Sequence, residues 1–132
     1  MVAWETDPMT CRIFIVDDDV DHAESIADIL ALHGHEVEMA HTGEDAVKRY
    51  AEGPFDVTLM DVKLPGMNGV EAFFELRRMQ PEAAVIMMTG FSLEQLLSQA
   101  LLSGAGGVLH KPFEVNDLLR AIAKIEEPPK AA

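Results

Sequence analysis

Four short, largely apolar runs each lead directly into a residue that carries chemistry. They are Arg12-Ile-Phe-Ile-Val16 before Asp17 and Asp18, Phe55-Asp-Val-Thr-Leu-Met60 before Asp61, Ala84-Val-Ile-Met-Met88 before Thr89, and Gly107-Val-Leu-His110 before Lys111. Short apolar runs bounded by turn signals read as buried strands. A fifth strand is predicted from Glu36 to Ala40.

Helical spacing fills the intervals. Ala23, Ile26, Ala27, Leu30 and Ala31 recur on one face until His33-Gly34, where glycine suits a helix C-terminus. Thr42-Gly-Glu-Asp opens a second helix, which Gly53-Pro54 closes. A turn-rich loop, Leu64-Pro-Gly-Met-Asn-Gly69, precedes a helix from Val70 to Met79 that stops before Pro81. Ser92 is placed to cap a helix reaching Ser103-Gly104, and Glu114 to Ile125 forms the last one, before Pro128-Pro129. Strict alternation of strand and helix predicts an α/β fold. Parallel strands need helical crossovers, so five of them form a doubly wound sheet with helices on both faces and right-handed connections. The carboxyl ends of such strands form the ligand crevice. Asp17, Asp18, Asp61, Thr89 and Lys111 are therefore expected to meet there.

The length of 132 residues fits one domain. Residues 1–10 read as a flexible leader, 11–126 as the folded domain, and 127–132 as a tail or the start of a linker. A formal charge of −13 repels polyphosphate backbones, which disfavours direct nucleic-acid binding by this domain. No apolar run approaches the roughly 20 residues of a membrane span, and the N-terminus lacks a basic region followed by an apolar one. A cytoplasmic location is expected. Cys11 is the single cysteine, so no internal disulfide forms, and its place beside a strand suits a small buried hydrophobe.

Crowding Asp17, Asp18, Asp19 and Asp61 into one crevice is unfavourable unless a cation neutralises them. A hard divalent ion such as Mg²⁺ favours carboxylate oxygens, waters and a phosphoryl oxygen. Asp17-x-Asp19-x-Asp21 also matches the opening of a calcium loop, but His22 stands where that loop needs glycine and Asp28 where it needs a bidentate glutamate. The histidines, His22, His33, His35, His41 and His110, show no metal-ligand spacing and are expected in solvated positions, with His110 near the rim of the site. Asp56 reads as a surface acid at a strand entry.

Taken together, Val16-Asp17-Asp18, Met60-Asp61, Leu64-Pro-Gly-Met-Asn-Gly69, Met88-Thr89-Gly90 and His110-Lys111-Pro112-Phe113 resemble a two-component response regulator receiver domain, from about Cys11 to Ile125. The resemblance implies the flavodoxin-like strand order 2-1-3-4-5. It implies that Asp61 accepts a phosphoryl group from a phosphohistidine of a sensor histidine kinase or a histidine phosphotransfer protein. Asp18 and Asp61 would bind Mg²⁺ directly, the Lys63 backbone carbonyl would add a ligand, and Asp17 would act directly or through water. Thr89 would hydrogen-bond one phosphoryl oxygen and Lys111 would pair with another, with the bond from Lys111 to Pro112 cis. Gly90 would leave the phosphoryl group room. Such a domain is a signalling phosphoacceptor, not an enzyme turning over a metabolite. Its output domain or partner would use the face from Ser92 to Ile125, and a weak homodimer is compatible with it.

The chain departs from the family at Val108, where many receivers carry the Tyr or Phe that rotates on activation. Lys63 and Phe91 flank the phosphoryl position, and Phe91 is expected to screen an acyl phosphate from water. Three other readings compete. A phosphorylation-independent interaction module would not need all these side chains. An aspartate-based Mg²⁺-dependent phosphohydrolase would want Thr or Val where Asp21 stands, and more length for a cap. A flavin binder would have its phosphate repelled by the acids, and no phosphate-binding glycine loop is present: Leu109 breaks the only approach to Gly-x-Gly-x-x-Gly.

Overall fold

The computed structural model describes residues 11–90 and 104–126. The leader, the segment in which the helix from Ser92 was expected, Phe91, and the tail lie outside the described residues. Among the described residues nine elements follow in order: β1 (Arg12–Val16), α1 (Val20–Leu32), β2 (Glu36–Ala40), α2 (Gly43–Glu52), β3 (Val57–Asp61), α3 (Gly69–Met79), β4 (Val85–Thr89), β5 (Gly107–His110) and α4 (Val115–Glu126). All strands pair in parallel, in the order β2-β1-β3-β4-β5. This is the expected flavodoxin-like sheet.

The period of two along each strand divides the core into two layers. Phe14, Val16, Met60, Val85 and Met87 pack with Ala46, Tyr50, Phe73 and Leu76 of α2 and α3. Ile13, Ile15, Leu59, Ile86, Met88 and Leu109 pack on the other side with Ile26 and Leu30 of α1 and Leu118 and Ile122 of α4. The central strands β3 and β4 are buried throughout, whereas β2 at the edge exposes Glu36 and Glu38. Exposed acids blunt the free edge against pairing with another chain.

Register carries the acids to one place. Ala40, Val16, Met60, Met87 and Val108 form one row across the sheet. Asp17 and Asp61 are the next residues after Val16 and Met60 on neighbouring strands, so they leave the sheet side by side. β3 and β4 run one residue further than expected, to include Asp61 and Thr89. The start of β3 is correspondingly later. Phe55 stacks on Phe14 with centroids 4.5 Å apart, and Asp56 Oδ2 accepts the Arg12 N–H at 2.7 Å, so both fasten the strand entry from outside the ladder.

The helices that follow the active strand ends are capped by short polar side chains. Asp19 is the N-cap of α1 and accepts the His22 N–H at 3.1 Å. Asn68 and Glu71 form a reciprocal capping box at α3, at 2.9 and 3.0 Å. Before it, Gly66 takes φ +71°, a left-handed conformation suited to glycine. Gly69 is required for a different reason: a Cβ there would stand 1.9 Å from the carbonyl oxygen of Asp61. The chain end of β3 and the start of α3 are thus in backbone contact directly beneath Asp61.

Candidate functional site

A cleft of about 340 Å³ opens at the carboxyl ends of β1, β3, β4 and β5, lined by Asp18, Asp19, Asp61, Lys63, Gly90 and Lys111. Asp17 and Thr89 are buried at the strand ends beside it. The structure therefore brings all the expected residues to one end of the sheet, with different degrees of access. Asp18 and Lys63 are exposed, and Asp19 serves as the helix cap.

Lys111 ties the two buried acids together. Its Nζ donates to Asp61 Oδ2 at 2.7 Å and to Asp17 Oδ2 at 2.9 Å. It is delivered by β5, and its own N–H donates to the Thr89 carbonyl at 2.6 Å, which closes the β4–β5 ladder next to the cleft. The Lys111–Pro112 bond is cis, as the resemblance implied. Asp61 Oδ1 accepts the N–H of Lys63 at 3.0 Å, so both oxygens of that carboxylate are engaged. Among the described residues, a Cβ on Gly90 would meet only Lys111 Cβ at 3.7 Å, an ordinary contact.

The two carboxylates titrate differently. Burial pushes Asp17 up, but hydrogen bonds from His22, Lys111 and the Asp19 N–H outweigh it and hold its pKa below the ordinary carboxylate value. At Asp61 burial prevails, reinforced by the neighbouring Asp17, and the pKa is raised despite Lys111 and the Lys63 N–H. Burial alone would lower Lys111, yet its bonds to Asp61 and Asp17 raise its pKa and keep it an ammonium. One fixed cation is thus shared between two acids, with the exposed Asp18 alongside.

Carboxylate oxygens of Asp17, Asp18 and Asp61 lie within 4.8 Å of one another. An octahedral Mg²⁺ takes oxygen ligands at about 2.0–2.1 Å, so the three side chains would close in on the ion from this spacing. The donors are all hard oxygens, and the local excess of negative charge is of the sign a divalent cation corrects. The donor set fits Mg²⁺.

The expectation for the histidines needs correction. His22, His35 and His41 are half-buried. His22 Nδ1 is 2.6 Å from Asp17 Oδ2, and His41 Nδ1 is 2.8 Å from the Asp17 carbonyl. His35 Nδ1 accepts the Cys11 N–H at 3.1 Å. His110 does not line the cleft. It borders a separate groove with Val108, Leu109, Phe113, Asp117, Arg120 and Ala121. For His22 a signal was available in the chain: with Asp19 as N-cap, the third helical residue sits on the first turn, directly above the end of β1. Nothing local marks His41, which reaches Asp17 because β2 lies beside β1.

The family described as response regulator receiver domain matches residues 13–123. The chemotaxis protein CheY of Bacillus subtilis is 35% identical over 117 residues, which cover 88% of this chain and 98% of that protein. The transcriptional regulatory protein ZraR of Salmonella typhimurium is 33% identical over 112 residues, 85% of this chain but 25% of ZraR. The chain thus spans about a quarter of that regulator's length and nearly all of a CheY. Among solved structures, a CheY-like receiver domain protein of Methanospirillum hungatei superposes with a TM-score of 0.84 at 34% identity, covering 87% of this chain and 92% of that one. A CheY of Borrelia burgdorferi, in a complex with CheX, BeF₃ and Mg²⁺, also gives 0.84, at 26% identity, covering 89% and 90%.

Proposed function

The chain belongs to the response regulator receiver domain family, and from that premise we propose that it is a phosphorylation-dependent switch with Asp61 as the phosphoacceptor. The donor is the phosphohistidine of a sensor histidine kinase or a histidine phosphotransfer protein. The observation that carries this reading is the Lys111 ammonium set between Asp17 and Asp61 at the mouth of the cleft. It pairs a candidate nucleophile with a cation poised for the oxygens of an incoming phosphoryl group.

In this reading one Asp61 oxygen forms a bond to phosphorus while the phosphorus–nitrogen bond of the phosphohistidine breaks, its electron pair returning to the imidazole ring. Lys111 passes from Asp61 Oδ2 to a phosphoryl oxygen, and the Thr89 hydroxyl donates to another. The Lys63 N–H keeps the Asp61 carboxylate oriented along the attack line. Asp17, Asp18, Asp61 and the Lys63 carbonyl hold Mg²⁺, which when bound supplies positive charge against the carboxylates and the phosphoryl oxygens. Such a transfer depends on in-line positioning and charge neutralisation, and the Lys111 ammonium beside Asp61 supports the second. Slow hydrolysis of the acyl phosphate resets the switch.

With Val108 half-buried against the α2–α3 core layer, switching proceeds through the backbone and loops at the ends of β4 and β5 and not through an aromatic rotor. The signal leaves by the face from Ser92 to Ile125, to an output domain or partner, in a cytoplasmic setting. Among the described residues no helix is long and apolar enough to cross a membrane.

The test is incubation with a small phosphodonor, with and without Mg²⁺, followed by intact-mass measurement of the wild type and Asp61→Asn. One added phosphoryl group that requires both Mg²⁺ and Asp61 supports the reading. No adduct with any donor, or an adduct that persists in Asp61→Asn, contradicts it.

A further inference from the structure

The phosphoryl chemistry leaves without a role the hydrogen bond between His22 and Asp17. Asp17 has no exposed surface, and its carboxylate is held on three sides. Oδ1 takes the Asp19 N–H at 3.0 Å, while Oδ2 takes Lys111 Nζ at 2.9 Å and His22 Nδ1 at 2.6 Å. An ionised carboxylate only accepts, so His22 Nδ1 carries the hydrogen whichever charge the ring bears. The backbone of Asp17 is fastened too, its N–H on the Ala40 carbonyl at 3.1 Å and its carbonyl against His41 Nδ1 at 2.8 Å.

The His22 ring is itself held in place. Its backbone N–H is taken by the α1 cap Asp19, and its ring meets Phe113 edge-on, with centroids 5.6 Å apart and planes at 69°. Phe113 follows Lys111 by two residues. The two side-chain donors to Asp17 Oδ2 are therefore braced by one another's chain segments, α1 on one side and the stretch after β5 on the other.

We propose that His22 is a positioning residue for the divalent ion. By holding Oδ2 toward itself and Lys111, it keeps Asp17 in one rotamer and leaves Oδ1, with a single backbone donor among the described residues, as the oxygen with capacity to face Mg²⁺ or its water. This rests on Mg²⁺ binding at the acidic cluster. A donor on a ligating carboxylate also withdraws some of its charge, which opposes metal binding. Orientation outweighs that effect, since loss of outer-shell partners typically weakens metal sites by about 10–100-fold.

Calorimetric titration of Mg²⁺ into the wild type, His22→Leu and His22→Asn tests the inference. Leucine keeps apolar volume against Phe113 and removes the donor, and asparagine places an amide nitrogen near the position of Nδ1. His22→Leu is expected to weaken the Mg²⁺ Kd by about tenfold, with His22→Asn near the wild type and all three equally folded by melting in EDTA. Equal or tighter binding by His22→Leu overturns the inference while leaving Mg²⁺ binding intact. A wild type that binds no Mg²⁺ overturns the metal reading beneath it. The ring ¹⁵N spectrum of the wild type decides even if the leucine variant does not fold: a protonated Nδ1 supports the proposal, and a bare Nδ1 with hydrogen on Nε2 alone refutes it.

Discussion

Lys111 Nζ stands 2.7 Å from Asp61 Oδ2, across 50 residues of chain, and the same ammonium reaches Asp17 at 2.9 Å. A single cation from β5 therefore holds together acids from β1 and β3. It also supplies positive charge where the proposed divalent ion would.

Lys111→Ala removes that shared cation. Taking one partner from a fully buried pair is destabilising by about 3–5 kcal/mol, and the opening of this site to the cleft reduces the effect to about 1–3 kcal/mol. Urea denaturation in EDTA is expected to show this loss. Added Mg²⁺ should restore more stability to the variant than it adds to the wild type, because binding to the folded state alone stabilises it. An equal gain in both proteins would show that Lys111 and the ion act independently.

Asp61→Asn is expected to be more stable than the wild type at pH 7 without Mg²⁺. The raised pKa of Asp61 means that the fold favours its neutral form. Stability from that preference is fully present below the unfolded value of about 3.8 and is lost as pH rises through the higher folded value. Asparagine stays neutral throughout. Melting curves from pH 7 down to pH 4 should show the two proteins converging as the pH falls, with a gap of a few degrees at neutrality.

Gly69→Ala places a methyl group 1.9 Å from the Asp61 carbonyl oxygen and 2.9 Å from Val62 Cα. Both are backbone atoms, so the end of β3 or the start of α3 must move. Overpacking of this kind typically destabilises by about 1–3 kcal/mol. The urea midpoint should fall with an unchanged m value, and phosphoryl uptake should slow because the displaced strand end carries the proposed acceptor.

Asn68→Ala removes the α3 capping box. Loss of such a cap is expected to lower stability by about 0.5–2 kcal/mol. The box does not touch the carboxylates, so the extent of phosphorylation in the intact-mass experiment should match the wild type. A large loss of phosphorylation would mean that the loop from Leu64 to Gly69 transmits more to Asp61 than backbone packing indicates.

Some features were legible because their cause is local. The continuous buried run from Ile13 to Val16, the helical spacing from Ala23 to Ala31 and the opening of α2 at Thr42 all depend on near neighbours. Strand limits were less legible. Asp61 and Thr89 are polar and read as residues after a strand, yet they are its last members, because the ladder continues as long as a neighbour supplies partners. Phe55 and Asp56 read as strand and lie just before it, although the Asp56 N–H already bonds the Arg12 carbonyl at 2.8 Å.

The sequence alone determined an alternating α/β chain whose acids, hydroxyl and lysine follow apolar strands, and the motifs at those points were specific enough to imply a receiver family. Only the tertiary structure decided which partners those side chains take. Lys111 bridges Asp17 and Asp61, and His22 and His41 clamp Asp17 from α1 and from the end of β2. Strand periodicity is written in neighbouring residues, whereas a hydrogen bond between residues far apart exists only once sheet order and register have set their distance.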